Sequence, residues 1–78
     1  MDSQRQRISQ IDRILIQIIE ERIEVGKEIA EIKKQKDLPI ENSEQEKKVI
    51  ERAQDRTDLD VEDVFRDIIE LTKTQMQK

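Results

Sequence analysis

Apolar residues recur along the first half of the chain at alternating steps of three and four, which is the spacing of one face of a helix. This face, called the seam below, comprises Ile8, Ile11, Leu15, Ile18, Arg22, Val25, Ile29 and Ile32. Arg22 is its one charged member. Because a guanidinium stays protonated and is costly to bury alone, the pattern predicts an anionic partner for Arg22, either a nearby carboxylate or a ligand.

The seam predicts a first helix over about 3–36, which is roughly 34 residues and about 50 Å long. Two short helices cannot cover this length, so we expect the seam to pack against a second copy of itself. A second apolar set beside the seam predicts a further packing partner. Its members are Ile14, Ile16, Ile19, Ile23 and Ala30. Gly26 costs the helix about 1 kcal/mol relative to Ala, which indicates either a close approach to its backbone or a tolerated surface glycine.

Two shorter helices follow a break at Pro39, because proline disfavours helix at the residue before it and cannot extend one itself. Helix 2 is predicted over about 43–56 and helix 3 over about 60–77. Residues 1–78 are therefore expected to form one all-α domain, a three-helix protomer with a long first helix in a helical homodimer.

The starts of helices 2 and 3 each offer two candidate caps. Ser43, with Glu46 three residues on, forms a capping-box pattern, and the neighbouring Asn42 is the alternative cap. Asp58 and Asp60 are the candidates for helix 3.

Composition removes several classes of function. The 78 residues contain no cysteine and no histidine, which excludes thiol nucleophiles, the commonest zinc ligands and the usual general base. We therefore expect neither a metal nor a cofactor. A net charge of -4 and a single aromatic residue argue against nucleic-acid binding. Charges interrupt the seam at every turn and the N-terminus lacks an apolar run, so we expect no membrane association and a cytoplasmic location.

Six polar residues lie on or beside the inward faces of the predicted helices, and they are Arg5, Arg22, Lys33, Glu46, Thr72 and Gln75. Arg5 and Arg22 are about 25 Å apart along one helix, too far to meet on one small ligand. In an antiparallel pair of first helices, however, Arg5 of one chain comes near Arg22 and Lys33 of the other. A symmetric dimer then contains two cationic pockets, each built from both chains.

Each of these residues also has an explanation that needs no ligand. Arg5 and Lys33 are explained as solvated charges at helix ends, and Thr72 and Gln75 as a fraying helix end. Glu46 is explained as the capping-box partner of Ser43. Carboxylates that could pair with Arg22 are Glu20, Glu21, Glu24 and Glu46. If the six residues do meet, fixed cations, one carboxylate, one amide and no titrating base suit the binding of a dicarboxylate and a unimolecular rearrangement without proton transfer.

The sequence resembles the all-helical (AroQ-class) chorismate mutases over nearly its whole length. The strongest part runs from Ile8 to Pro39, where the following fall in family register: Ile11-Asp12, Glu21-Arg22, Val25-Gly26-Lys27, Ile32-Lys33 and Pro39-Ile40. A short second helix with Glu46 and the stretch LDVEDVFRDIIELTKTQ complete the resemblance. It implies an intertwined homodimer in which the long first helices span both subunits.

The resemblance also implies roles for single residues. Arg22, together with Arg5 from the partner chain, is expected to hold the substrate carboxylates. Lys33 is expected to reach the ether oxygen whose bond breaks, and Glu46 to accept the ring hydroxyl. Thr72 stands where the family often has a small hydroxyl residue near a carboxylate.

Two regions depart from the family pattern. Asn42 and Gln45 stand where many members have an aspartate and an arginine, so Gln45 gives up a cation and we expect weaker carboxylate binding and low activity. Near the C-terminus, the family's ether-contacting glutamine or glutamate aligns most simply with Met76, flanked by Gln75 and Gln77. Because Gln75 shares the Thr72 face at a spacing of three, it is the preferred candidate.

The sequence thus predicts a chorismate mutase, which rearranges chorismate to prephenate in the biosynthesis of phenylalanine and tyrosine. Two alternatives remain open. One is an isochorismate-pyruvate lyase, which is similar in fold and also lacks the second-helix arginine. The other is a non-catalytic helical module whose seam simply makes a dimer.

Overall fold

A computed structural model describes all residues, 1–78, and contains three helices and no strand. The helices are α1 over Asp2–Gln35, α2 over Ser43–Asp55 and α3 over Glu62–Met76. The all-α class and the three-helix order predicted from the apolar spacing are therefore confirmed. None of the three helices has an apolar stretch long enough to span a bilayer.

The ends of α1 and α2 follow from local backbone chemistry. After α1 the chain turns at Asp37, whose positive φ of 57° is a conformation that aspartate tolerates better than most residues. At the start of α2 the side chain of Asn42 accepts a hydrogen bond from the backbone N–H of Gln45 at 3.1 Å. The Asn42 alternative is thus confirmed and the capping box of Ser43 and Glu46 does not form, which leaves the Glu46 carboxylate free for other contacts.

The start of α3 is held by two side chains that precede it. Asp60 Oδ1 accepts a hydrogen bond from the Glu62 N–H at 3.3 Å, and Gln54 Oε1 accepts one from the Val61 N–H at 3.1 Å. The N-cap position itself is Val61, so neither Asp58 nor Asp60 caps α3 as predicted. Asp60 binds the first N–H of the helix from one position before the cap, whereas Asp58 makes no such bond. Gln54, at the end of α2, ties the two short helices together.

The third helix packs against both of the others, whereas α1 and α2 do not pack against each other. Burial is confined to the centre of this arrangement, at Gly26, Ala30, Ile69 and Thr72. Of the second apolar set, Ala30 is buried, whereas Ile14 and Ile16 stay more than half exposed, so this set is covered only towards its C-terminal end. The seam stays open to solvent in the single chain, with Ile8 58% and Ile11 60% exposed.

Gly26 is the point of closest approach between α1 and α3. A Cβ atom built on Gly26 would lie 2.7 Å from Thr72 Cγ2 and 3.4 Å from both Cγ and Sδ of Met76. Contacts below 3.0 Å are not tolerated without a shift of one partner. The close approach predicted for this glycine is thus confirmed, and the explanation as a tolerated surface residue is wrong.

We expect the substitution Gly26→Ala to destabilise the protein by up to about 2 kcal/mol. Overpacking costs about 1–3 kcal/mol, and the better helix propensity of alanine offsets about 1 kcal/mol of that cost. The Thr72 methyl cannot easily move away, because the Thr72 hydroxyl donates to the Ile68 carbonyl at 2.8 Å and accepts from Arg22. Urea denaturation of both proteins at the same concentration measures the difference.

The double variant Gly26→Ala with Thr72→Ser is the matched control, because serine keeps the hydroxyl and removes only the clashing methyl group. It should recover most of the lost stability. Equal stability of Gly26→Ala and the wild type, or no recovery in the double variant, would contradict the steric explanation.

Candidate active site

A cavity of about 320 Å³ lies among the three helices, with α1 on one side, α2 on the other and α3 between them. Six of the residues predicted from the sequence line it, and they are Arg22, Lys33, Asn42, Gln45, Glu46 and Thr72. Its apolar lining comprises Val25, Ile29, Ile40, Val49, Ile69 and Met76. The structure therefore brings together most of the predicted site in one chain.

Arg22 is half-buried and has no carboxylate partner within the chain. Its guanidinium donates a hydrogen bond to Thr72 Oγ1, and the chain's ion pairs do not include it. Arg22 therefore forms none of the ion pairs that the sequence offered as alternatives to a ligand. The candidate partners were Glu20, Glu21, Glu24 and Glu46. Thr72 Oγ1 in turn donates to the Ile68 carbonyl, so this hydroxyl holds Arg22 in place without neutralising it.

Lys33 supplies a second unpaired cation on the same wall of the cavity. Its Nζ donates to the Ile40 carbonyl at 3.2 Å, which ties the loop after α1 back to the helix. An ammonium has three donors, so this contact leaves two for a ligand. Arg22 and Lys33 are three helical turns apart, about 16 Å along α1. The α1 wall therefore presents two cations separated by apolar side chains.

The opposite side of the cavity carries Glu46, which pairs with a residue that the sequence did not single out. Lys73 Nζ lies 3.4 Å from Glu46 Oε1, 2.8 Å from Glu41 Oε1 and 3.6 Å from Glu70 Oε2. Glu46 Oε2, by contrast, is buried and has no hydrogen-bond partner. A buried carboxylate oxygen without a donor is costly, so it is a place where the hydroxyl of a ligand can bind.

The contacts of Lys73 shift two pKa values in opposite directions. The hydrogen bond from Lys73 lowers the pKa of Glu41 below its ordinary value of 4.5. The hydrogen bond to Glu41 is also the main reason that the pKa of Lys73 is raised above its ordinary value of 10.5. Lys73 is therefore a fixed cation near neutral pH, with most of its contacts at the rim of the cavity.

Two predicted site residues do not line this cavity. The preference for Gln75 is not supported, because the lining residue at this end of α3 is Met76. Met76 follows the buried residues Ile69 and Thr72 at helical spacing, and its Cγ and Sδ pack against Gly26. Arg5 is exposed near the start of α1, where its side chain contacts only Met1 Sδ at 3.9 Å. A role for Arg5 thus requires a second chain and stays a prediction.

The α2 wall contributes amides rather than cations. Asn42 caps the helix by accepting from the backbone N–H of Gln45, and both residues line the cavity. Two cations, one carboxylate with a free oxygen and an apolar lining suit a small anionic ligand that also carries a hydroxyl group.

Comparison with models of protein families matches residues 4–77 to the family described as chorismate mutase type II. A search of curated proteins and a search of solved structures found no match. The family match covers α2, α3, all but the first two residues of α1, and every residue that lines the cavity.

We expect the pairing of Glu41 with Lys73 to contribute a small stabilisation that depends on pH. Because the pKa of Glu41 is lowered, its contribution is present above pH 4.5 and is lost as the pH falls through the lowered pKa. Because the pKa of Lys73 is raised, its contribution is present below pH 10.5 and is lost as the pH rises through the raised pKa. The substitution Glu41→Gln should lower the urea midpoint at neutral pH, with the difference disappearing in acid.

Glu51→Gln is the control, since it removes the same charge from an exposed position of α2 that has no ion pair. The effect of Glu41→Gln should be modest because Glu41 is exposed and solvent screens the pair. If the pH profile of Glu41→Gln ran parallel to that of the wild type throughout, the assigned pairing would be wrong.

Proposed function

Since the chain belongs to the chorismate mutase type II family, we propose that it catalyses the rearrangement of chorismate to prephenate. This reaction leads towards phenylalanine and tyrosine, and we place it in the cytoplasm. The observation that carries the proposal is that Arg22 and Lys33, two cations without a carboxylate partner, line the same cavity as Glu46, whose Oε2 has no hydrogen-bond partner. Chorismate carries two carboxylates, a ring hydroxyl and the ether oxygen that must leave, so its groups complement this set.

In this proposal the site acts on the reaction by position and charge. The rearrangement breaks the ether C–O bond and forms a C–C bond within the same molecule, so no atom and no proton is gained or lost. Arg22, held by Thr72, binds a carboxylate of the substrate. Glu46 accepts the ring hydroxyl through its free oxygen. The substrate is thereby held in the folded conformation from which the new bond forms.

Lys33 is proposed to act on the transition state itself. Negative charge develops on the ether oxygen as the C–O bond lengthens. An ammonium directed at that oxygen therefore stabilises the transition state more strongly than it stabilises the ground state. No residue needs to titrate or to form a covalent bond.

We further propose that the active protein is an intertwined homodimer. In the single chain most of the seam is exposed to solvent, with relative exposures of 55% for Ile18 and 51% for Ile32. Exposed apolar surface of this extent favours association with a second chain. An antiparallel arrangement of two α1 helices covers the seam and brings the partner's Arg5 towards the open end of the cavity. Arg5 would then supply the second carboxylate contact that the α2 wall, with Gln45, does not provide.

Isochorismate-pyruvate lyase activity is the second candidate, and one observation favours it. The side chain of Gln45 lines the cavity as a neutral amide, and lyases with this fold also lack a cation at this place. Release of pyruvate from isochorismate, assayed beside formation of prephenate from chorismate, distinguishes the two enzymes. A non-catalytic dimerisation module would show neither activity, and a dicarboxylate would not raise its melting temperature.

We expect Arg22→Ala to lower kcat/KM for chorismate by about 10²–10³, the usual cost of removing one preorganised charge contact. Arg13→Ala is the matched control, because Arg13 is an exposed α1 residue outside the cavity. It should leave turnover unchanged. Both variants should remain dimeric in sedimentation. Failure of the wild-type protein to form prephenate above the uncatalysed rate would refute the proposal.

Mixed dimers test whether Arg5 acts in trans. Arg5→Ala and Arg22→Ala homodimers should each be nearly inactive. After co-refolding at equal amounts, half of the dimers should be mixed, and each mixed dimer has one intact site of two, which restores about a quarter of the wild-type activity. If Arg5 served the site of its own chain, no intact site would form and activity would stay at the level of the separate variants.

A further inference from the structure

Lys73 has no part in the proposed mechanism, although it is the most enclosed of the paired cations. Its side chain is 17% exposed, and Lys73 is itself one of the residues that line the cavity. Glu41 and Glu70 contact its ammonium from the exposed rim, and Glu46 contacts it from the cavity lining. Lys73 therefore links the outer edge of the site to the one carboxylate that faces a ligand.

The contact with Lys73 gives the two carboxylate oxygens of Glu46 different surroundings. Oε1 lies 3.4 Å from Lys73 Nζ, and Oε2 is buried without any partner. Arg22 and Lys33 belong to the α1 wall and form no ion pair with Glu46. Lys73 is thus the cation that compensates the charge of Glu46 while one of its oxygens stays available as an acceptor.

We propose that Lys73 is a positioning and specificity-determining residue, which holds Glu46 so that its free oxygen accepts a neutral hydroxyl and disfavours an ammonium group. The inference rests on the proposed function, because it concerns the ring-hydroxyl contact of that same site. A hydroxyl needs only an acceptor, which Oε2 provides. An ammonium at the same place would share one carboxylate with Lys73, and the repulsion between the two cations would oppose its binding.

The test compares two substrates in variants of Lys73. One is chorismate, and the other is its analogue with an amino group in place of the ring hydroxyl. Lys73→Met removes the charge from a side chain of similar length, and Lys73→Arg keeps it. Relative to the wild type, Lys73→Met should lower kcat/KM for chorismate and shift the ratio of the two kcat/KM values towards the analogue by at least about tenfold. Lys73→Arg should keep the wild-type preference.

Lys48→Met is the control for loss of a lysine charge, because Lys48 is exposed on α2 and does not line the cavity. It should leave the ratio unchanged. An equal loss for both substrates in Lys73→Met would mean that Lys73 binds a substrate carboxylate directly, and this outcome would overturn the proposal.

A second measurement does not depend on catalysis. The ¹³C signal of the Glu46 carboxyl, recorded at neutral pH in the free protein, should change position in Lys73→Met, because the ammonium that lies 3.4 Å from Glu46 Oε1 is gone. The same signal should stay unchanged in Lys48→Met.

The two measurements separate the inference from the proposed function. If the wild type does not convert chorismate but the Glu46 carboxyl signal moves in Lys73→Met, the mutase proposal fails and the positioning by Lys73 stands. If the wild type converts chorismate while the substrate ratio and the Glu46 carboxyl signal stay unchanged in Lys73→Met, the inference fails and the mutase proposal stands.

Discussion

The contact between Gly26 and α3 is the constraint on which the rest of the structure depends. Because Gly26 has no side chain, Thr72 and Met76 reach the backbone of α1, and this fixes the rotation and register of α3. Arg22 lies one helical turn before Gly26 and therefore meets the Thr72 hydroxyl. Lys73, the next residue of α3, then faces α2 and its Glu46. The absence of a side chain at Gly26 thus sets which polar residues of α1 and α3 lie close together in the cavity.

The sequence predicted the features that follow from periodicity and local chemistry. Apolar spacing gave the three helices, the anomaly at Arg22 indicated a site, and the cost of a mid-helix glycine indicated a close contact at Gly26. The cap of α2 could be narrowed to Ser43 or Asn42 but not decided. In the structure Asn42 is the cap, and the Glu46 side chain contacts Lys73, 27 positions away on α3, a contact that local spacing does not predict.

The end of α3 was less predictable for a physical reason. Steps of three and four from Thr72 both stay on one helical face, so Gln75 and Met76 were equally compatible with the spacing, and the chemistry expected of the site favoured the amide. The structure places Met76 in the cavity because it packs on Gly26. Lys73 was overlooked because lysines usually face solvent. Its position four residues after the buried Ile69 was the available signal.

The single chain leaves two sets of residues without partners, which are the apolar side chains of the seam and the cations Arg22 and Lys33. A chain of 78 residues with 44% charged residues has enough carboxylates to neutralise Arg22 and Lys33 internally, yet it pairs neither of them. It uses the cavity carboxylate, Glu46, with Lys73 instead. Leaving two half-buried cations without counter-charges costs stability, and this cost is the usual mark of a site preorganised for an anion. The exposed apolar residues of α1 are a surface whose burial, in the homodimer proposed above, would offset this cost.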